Sequence, residues 1–361
     1  MAAALNFHKN DFDYEEFASK AALASSPPSP SSREAFAEAA AARADSSDDA
    51  AAWDAFYSRE AQADPYRPRR YLIAEFPELL SPSRPIPPPW LLPLFQLLPP
   101  WLPPAPPLLF DIGCGYGSAL MPLLRANPRL CAVAVDLSPT AVARLSENLR
   151  DRALFSPSDR RRVRARPWDI TKGLPPPFSE DGARSDGKRE FADLALLIFT
   201  LSAVAPTEHV AVLRRLRSAL RPGSGTILFR DRARFDLTMI RASDKQRLGE
   251  STYAREDGTL AHYFTADEVE RLAAEAGLEV VDEHGDAGKA SYCTVRLRNR
   301  RKGTDMHRCF VHARLRRPLK DGGELNGVPR TRRRAACAVA IFAAAAAAAA
   351  ATVFLARRRR G

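Results

Sequence analysis

The sequence predicts an α/β fold in which a parallel β-sheet carries helices on both faces. From residue 108 onward, short apolar runs typical of buried strands alternate with amphipathic stretches typical of helices. The first run, Leu108–Ile112, passes directly into the glycine-rich stretch Gly113–Gly117. This pattern is typical of a strand that turns sharply into a helix. Because parallel strands are joined by crossover connections, the alternation predicts right-handed βαβ units.

The residues before this domain divide into two parts. Residues 1–50 consist largely of alanine, serine, proline and acids, which predicts disorder. Within residues 51–107, Trp53, Phe56 and Tyr57 have the spacing of one helix face, which predicts an aromatic cap segment. The proline-rich remainder predicts an extended connector, because proline prevents a regular helix. The first 20 residues lack the apolar core of a secretory signal.

Residues 108–318 form the predicted main domain. Strands are predicted at residues 108–112, 130–136, 163–169, 191–199, 225–231, 278–284, 293–298 and 309–315. The last strands are expected to close the sheet as a hairpin. Helix starts are predicted near Ser118, at Ser138 before Pro139, at Thr207, and at the capping box Thr265–Glu268.

The C-terminal part has a separate composition. Residues 319–334 are a predicted basic linker, and residues 357–361 a basic tail. Residues 335–356 are uncharged and long enough to span a bilayer, but nine consecutive alanines add little hydrophobicity. This stretch therefore predicts either a C-terminal hydrophobic membrane helix or an alanine-rich extension. The expected location is cytoplasmic; if the helix inserts, the main domain faces the cytosol.

Charge and metal-binding residue types limit the function classes. The formal net charge is +11 and the middle of the chain is itself basic, as expected of a polyanion binder. The five cysteines show no paired spacing, which argues against disulfides and structural zinc. The six histidines show no ligand spacing either, so the sequence predicts no metal site.

Acidic residues at predicted strand ends indicate a nucleotide-like ligand. Asp136 ends the second strand, where an acid accepts hydrogen bonds from ribose hydroxyls. Asp169 and Ile170 end the third, where they fit an adenine amino group and ring. The third glycine of the loop comes one residue earlier than in the dinucleotide fingerprint, which disfavours a nicotinamide enzyme. The alternative is that these acids stabilise ordinary turns.

Nine short motifs together carry a family resemblance. They are Trp53–Tyr57, Glu75–Glu78, Asp111–Gly117, Asp136–Pro139, Asp169–Lys172, Leu197–Val204, Leu228–Asp231, Arg247–Glu250 and Asp257–Thr259. With them the chain resembles class I S-adenosylmethionine methyltransferases, and more narrowly the methyltransferase-like family that forms 3-methylcytidine in tRNA. The resemblance implies a Rossmann-like methyltransferase sheet and S-adenosylmethionine as cofactor, with its methionine end on the glycine loop.

The resemblance also implies a site and a substrate. The cofactor site would be lined by Trp53, Tyr57, Gly113, Asp136, Asp169, Ile170 and Ile198. The target would be cytidine 32 of tRNA, and some relatives use a tRNA-selecting partner such as an aminoacyl-tRNA synthetase. The N3 atom of neutral cytosine has no proton to lose, so no catalytic residue is predicted.

RNA contacts are predicted on one side of this site. Arg67, Arg69 and Arg70 lie beside tyrosines, although a solvated basic loop is the alternative. Arg230 and Asp231 end the fifth strand, which predicts a place at the substrate rim or an ion pair with each other. Departures from the family pattern at Arg67–Arg69, Arg232 and Leu260 lie on this side. They leave open the alternative of a class I methyltransferase for another RNA, a protein or a small molecule.

Overall fold

A computed structural model describes residues 10–24, 48–59, 68–80, 106–179, 190–299 and 303–319. Its strands are β1 Leu108–Ile112, β2 Cys131–Asp136, β3 Val163–Pro167, β4 Leu194–Ile198, β5 Thr226–Arg232, β6 Thr252–Ala254, β7 Leu260–His262, β8 Glu279–Val281, β9 Ser291–Asn299 and β10 Thr304–Arg316. Its α-helices are α1 Tyr14–Ala24, α2 Asp48–Arg59, α3 Leu72–Glu75, α4 Leu120–Ala126, α5 Pro139–Asn148, α6 Pro157–Arg161, α7 His209–Ala219, α8 Leu237–Ile240 and α9 Ala266–Glu275.

Among the described residues, eight strands form one sheet in the order β3–β2–β1–β4–β5–β10–β8, with β9 paired to β10. Strands β1 to β5 run parallel, and β10 runs antiparallel to β5, β8 and β9. Ile112 pairs with Val135 and with Leu197, so the carboxyl ends of β1, β2 and β4 meet at one edge. The predicted α/β fold and the closing hairpin are confirmed.

Buried side chains alternate between the two faces of the sheet, because successive residues of a strand point in opposite directions. On one face, Leu109 belongs to the same cluster as Leu120 of α4. On the other face, Phe110 belongs to a cluster with Leu216 of α7 and Leu272 of α9. Helices therefore cover both faces, as predicted.

The N-terminal segment differs from its prediction. Residues 10–24 lie against β9: the amide of Asp11 donates to the carbonyl of Thr294 at 3.1 Å, and the Tyr14 ring stacks on Tyr292 with centroids 3.5 Å apart. The expectation of disorder across residues 1–50 is wrong here, and α2 also begins earlier, at Asp48. The order of α1 comes from contacts with strands far along the chain, which composition does not reveal.

Two other elements differ from the sequence prediction. Helix α7 begins at His209 after a 3₁₀ turn, Pro206–Glu208, and Thr207 does not cap it. The small antiparallel pair β6–β7 was not predicted, since both strands are only three residues long.

Several predicted segments lie outside the described residues. They are residues 25–47, Arg67, most of the proline-rich connector, and the C-terminal residues 320–361 with the hydrophobic stretch 335–356. None of the helices in the described part of the chain has the length and apolarity needed to cross a membrane.

Candidate functional site

The glycine turn after β1 packs its backbone tightly against a neighbouring segment. Gly113 has a φ of +69°, and a Cβ atom at this position would lie 2.4 Å from Oγ1 of Thr200. The amides of Gly113 and Cys114 both donate to the carbonyl of Val135, at 2.8 and 3.0 Å. Position 113 therefore requires glycine both for its left-handed backbone and for space.

Asp136, the last residue of β2, organises this turn. Its Oδ2 accepts from the amide of Gly115 at 2.8 Å, and its Oδ1 accepts from the amide of Ser138 at 3.0 Å. Burial raises the pKa of Asp136 to about 6, although the amide hydrogen bonds act in the opposite direction. Since a carboxylate has four lone pairs, the Asp136 side chain can still accept a hydrogen bond from a ligand hydroxyl.

The aromatic helix α2 covers the glycine turn. The rings of Trp53, Phe56 and Tyr57 pack together with centroids 5.3–6.1 Å apart, which confirms the predicted shared face. Tyr57 also meets Tyr116 edge-on at 6.0 Å. A Cβ atom at Gly115 would lie 2.8 Å from the Tyr57 hydroxyl, so the helix and the turn fit closely.

An unpredicted carboxylate holds α2 in this position. Oδ1 of Asp54 accepts from the Ser138 hydroxyl at 2.6 Å and from the Thr140 amide at 3.0 Å. The hydrogen bond from Ser138 lowers the pKa of Asp54. Ser138 itself caps α5 through the amide of Ala141, as predicted. A carboxylate at a helix N-terminus also interacts favourably with the helix dipole, so Asp54 fastens α2 to α5.

These elements enclose a cavity of about 620 Å³, a size typical of small-molecule sites. Six of the predicted cofactor residues line it: Trp53, Tyr57, Gly113, Asp136, Asp169 and Ile170. Ile198 does not; its side chain is 3% exposed and belongs to the core cluster of Leu109. No histidine or cysteine occurs among the described lining residues.

The turn after β3 supplies another wall of the cavity. Because β3 ends at Pro167, Asp169 lies in the loop and not in the strand as predicted. Its Oδ1 accepts from the amide and hydroxyl of Thr171, at 2.9 and 2.6 Å. This local turn holds the carboxylate of Asp169 and the alkyl side chain of Ile170 at the cavity.

An aromatic and cationic cluster lies beyond β4. Phe199 has a φ of +57°, a strained conformation for a residue other than glycine. Its ring lies 5.5 Å from that of Phe310, and the Arg69 guanidinium lies over it at 4.9 Å. Arg69 also donates to the carbonyl of Ile198 at 3.2 Å. We call Phe199, Arg69 and Phe310 the Phe199 platform. Phe199 lines the cavity, and strained backbone is frequent at functional sites.

The other predicted RNA contacts are placed differently. Arg70 is exposed, and Arg67 lies outside the described residues. Arg230 is only 3% exposed and forms an ion pair with Glu75. Its predicted position at the rim is therefore wrong. The prediction missed this because Glu75 is distant in sequence.

Asp231 is also buried, with its carboxylate bound inside the fold. Its two oxygens accept from the amides of Ser202 and Arg232, at 2.9 and 2.8 Å. It does not pair with Arg230, because neighbouring residues of a strand point to opposite faces. Asp231 thus supports the 3₁₀ turn Leu201–Ala203 at the carboxyl end of the sheet.

A second buried acid lies near the glycine turn. Asp111 is 2% exposed, and its Oδ2 has no hydrogen-bond partner among the described residues. Burial raises the pKa of Asp111 to about 7, opposed by the charge of Arg69 and increased by that of Asp136. Oδ2 of Asp111 is therefore a buried acceptor without a hydrogen bond, and Asp111 is not among the described residues that line the cavity.

Asp111→Asn is expected to stabilise the ligand-free protein at neutral pH by about 1–3 kcal/mol, because it removes a buried, incompletely paired carboxylate. The raised pKa of Asp111 also makes the stability of the protein depend on pH. Between its ordinary value and about 7, the folded chain holds a proton that the unfolded chain has lost. Stability therefore falls as pH rises through this range, and the variant flattens the fall. Thermal unfolding across this pH range checks it.

The exposed residue Asp305 provides the control, since Asp305→Asn is expected to leave the stability at neutral pH unchanged. A variant that is less stable than the unmodified protein at neutral pH contradicts the assignment of Asp111.

Three side chains form a cluster that the sequence did not predict. The imidazoles of His209 and His262 and the carboxylate of Glu268 offer ligand atoms within 4.8 Å of one another. The sequence did not place these residues together, because α7, β7 and α9 join positions that are far apart in the chain. The amide of Glu268 donates to Thr265 as predicted, but its carboxylate reaches His262 and does not complete the capping box.

Comparison with known proteins relates the chain to methyltransferases. A family model described as a methyltransferase domain matches residues 88–283. The chain is 31% identical to the Homo sapiens tRNA N(3)-cytidine methyltransferase METTL6, over 74% of this chain and 80% of that protein. It is 30% identical to the Drosophila melanogaster tRNA N(3)-methylcytidine methyltransferase Mettl2, over 74% and 71%. The Saccharomyces cerevisiae tRNA(Thr) (cytosine(32)-N(3))-methyltransferase is 28% identical, over 72% and 36%.

Proposed function

The chain belongs to the tRNA N(3)-cytidine methyltransferase family, and we propose that it forms 3-methylcytidine at position 32 of the tRNA anticodon loop. The proposal rests on the fact that the cavity and the Phe199 platform form one continuous surface. The cavity built by the glycine turn, Asp136 and helix α2 extends to Phe199, which is part of the Phe199 platform. One surface suits a nucleoside cofactor and the other suits an unpaired base.

The cofactor is S-adenosylmethionine, which when bound supplies a methyl group on a positively charged sulfur. Asp136 is proposed to accept hydrogen bonds from the ribose hydroxyls, and Asp169 with Ile170 to hold the adenine. The faces of Trp53 and Tyr57 attract cations and exclude water from the cavity. Ile198 acts indirectly, because its carbonyl fixes Arg69.

Methylation of the cytosine N3 atom requires the chain to orient the base and does not require it to remove a proton. The N3 atom of neutral cytosine carries a lone pair and no proton, so no general base is required. N3 lies on the Watson–Crick edge, so the base has to be unpaired and held by stacking. The ring of Phe199, fixed by Phe310 and Arg69, is the proposed stacking surface.

Phe199→Ala is expected to lower kcat/KM for tRNA by roughly 10- to 100-fold, because base–aromatic stacking contributes about 1–3 kcal/mol per base. S-adenosylmethionine affinity is expected to change by less than about threefold, since no cofactor contact is assigned to the ring. Steady-state kinetics and calorimetry measure the two quantities. Phe199→Trp keeps a stacking surface and is expected to retain most activity.

Phe235 offers a matched control because it is also a phenylalanine at positive φ, 62°, outside the cavity lining. Phe235→Ala reproduces any effect of placing alanine in this strained backbone conformation. Equal losses in Phe199→Ala and Phe235→Ala contradict a stacking role for Phe199.

The binding partners of the chain and its location in the cell are proposals that do not depend on the methyl-transfer chemistry. The family's use of tRNA supports tRNA as the substrate, with Arg69 and Arg70 on the proposed binding side. A tRNA-selecting partner, such as an aminoacyl-tRNA synthetase, is a further prediction. A cytoplasmic location, with or without an anchor at residues 335–356, is also a prediction, and that segment lies outside the described residues.

The direct test incubates the purified full chain with methyl-labelled S-adenosylmethionine and bulk tRNA, followed by nucleoside analysis. We expect label in 3-methylcytidine. Label in another nucleoside, in protein or in a small molecule instead supports the alternative of a class I methyltransferase for a different substrate. A parallel reaction with tRNA whose cytidine 32 is replaced by uridine checks the position.

A further inference from the structure

The cluster of His209, His262 and Glu268 joins three elements behind the cavity wall. His209 is the first residue of α7, His262 the last of β7, and Glu268 lies in the first turn of α9. The two histidines are 1% and 6% exposed, and their ring centroids are 5.2 Å apart. The ligand atoms of all three residues lie within 4.8 Å of one another.

Each imidazole has a ring nitrogen close to an oxygen atom of the surrounding fold. Nε2 of His209 lies 3.0 Å from the carbonyl of Val204, and Nδ1 of His262 lies 2.8 Å from the Thr252 hydroxyl. A ligating histidine generally donates its other ring N–H to an acceptor of this kind, which fixes the tautomer. With Nδ1 of His262 protonated toward Thr252, its Nε2 lone pair faces Glu268, whose Oε1 is 3.0 Å away.

We propose that His209, His262 and Glu268 bind a Zn²⁺ ion, a site independent of the proposed methyl transfer. Two imidazoles and one carboxylate are a frequent zinc donor set, and a water completes four-coordination. The ion replaces the close His262–Glu268 hydrogen bond with two metal bonds. It also balances the carboxylate charge in a place where both histidines are buried. Nitrogen donors disfavour Mg²⁺ and Ca²⁺, which prefer oxygen.

The position of the ion would join elements that form the cavity wall. Thr252 and Leu260, from β6 and β7, line the cavity together with Val204, Thr207 and Glu208 just before α7. A metal held by α7, β7 and α9 fixes these two parts of the wall relative to each other. Loss of the ion is therefore expected to reduce thermal stability, because a ligand that binds only the folded state stabilises it.

The alternative is a hydrogen-bond network without metal, with His262 between Thr252 and Glu268. The test distinguishes the two by metal content. The full chain is purified without immobilised-metal chromatography, and bound zinc is measured by elemental analysis. We expect about one zinc per chain and a melting temperature that falls after chelation and recovers with Zn²⁺ but not with Mg²⁺.

Three variants sharpen the test. Glu268→Gln keeps an oxygen acceptor for His262. If the cluster is only a hydrogen-bond network, this variant should fold normally. If the cluster binds zinc, the variant should lose the ion. Thr252→Val is expected to weaken zinc affinity by about 10- to 100-fold, the usual cost of an outer hydrogen bond. His284→Ala is the control, since His284 and Glu283 form an exposed pair 3.6 Å apart and zinc content should not change.

Absence of zinc in the unmodified chain, together with a melting temperature insensitive to added Zn²⁺, overturns the proposal. Equal zinc content in the unmodified chain and in Glu268→Gln and His209→Ala also overturns it, because the ion then binds elsewhere. Four-coordinate cobalt absorption after Co²⁺ substitution, lost in Glu268→Gln, supports it without reference to enzyme activity.

Discussion

Asp136→Ala is expected to lower the affinity for S-adenosylmethionine by at least about 100-fold. The proposed ribose contacts are hydrogen bonds to a charged acceptor, which contribute about 1.5–3 kcal/mol each, and each 1.4 kcal/mol is a factor of ten. The substitution also removes the acceptors of the Gly115 and Ser138 amides, which loosens the glycine turn. Isothermal titration calorimetry with the cofactor measures the loss.

Two controls separate binding from folding. Asp305→Ala removes an exposed acid and should bind the cofactor normally. Asp136→Asn keeps one oxygen acceptor and is expected to give an intermediate affinity. Since the pKa of Asp136 is raised to about 6, affinity should also fall as pH drops below that value, when the carboxylate becomes protonated. Unchanged affinity in Asp136→Ala removes the proposed placement of the ribose.

Glu75→Ala is expected to destabilise the protein by about 3–5 kcal/mol, because it leaves the guanidinium of Arg230 buried without its partner. The carboxylate also accepts from His312 at 2.7 Å, and it is fully buried. Burial raises the pKa of Glu75, but the hydrogen bond from His312 and the charge of Arg230 outweigh it and lower the pKa overall. Thermal unfolding should show a midpoint roughly 6–20 °C lower.

The double variant Glu75→Leu with Arg230→Met tests this interpretation. Replacing both members of a buried ion pair by apolar residues of similar size is often neutral or stabilising. The double variant is therefore expected to recover part of the lost stability, since Arg230 also gives up its contacts with Tyr71 and Phe310 and His312 loses its carboxylate acceptor. A double variant as unstable as Glu75→Ala, or a single variant within about 0.5 kcal/mol of the unmodified protein, contradicts the account.

The parts that sequence predicted well depend on neighbouring residues. The strand–turn–helix unit around Gly113 has a local signature, because a left-handed turn and close packing both require glycine. The aromatic face of α2 follows from helical spacing alone. Because the carboxyl ends of parallel strands meet at one edge, Asp136 at the end of β2 and Asp169 in the loop after β3 line the same cavity.

The parts that sequence missed depend on pairs far apart in the chain. No sequence periodicity connects the residues of three such groups. They are Glu75 with Arg230, Asp54 with Ser138, and His209 with His262 and Glu268. The sequence therefore placed Arg230 at the substrate rim, whereas its ion pair with Glu75 allows it to be buried. Phe199 had a motif around it, but its strained backbone and its position over the cavity became visible only in three dimensions.

We propose that this chain makes 3-methylcytidine in cellular tRNA through the cavity at Asp136. The most direct measurement is nucleoside analysis of tRNA from cells lacking the protein, complemented with either the unmodified chain or Asp136→Ala. We expect 3-methylcytidine at position 32 to be lost from a subset of tRNAs in these cells, and to be restored by the unmodified chain but not by the variant. Unchanged 3-methylcytidine in the cells lacking the protein, or full restoration by Asp136→Ala, would contradict it.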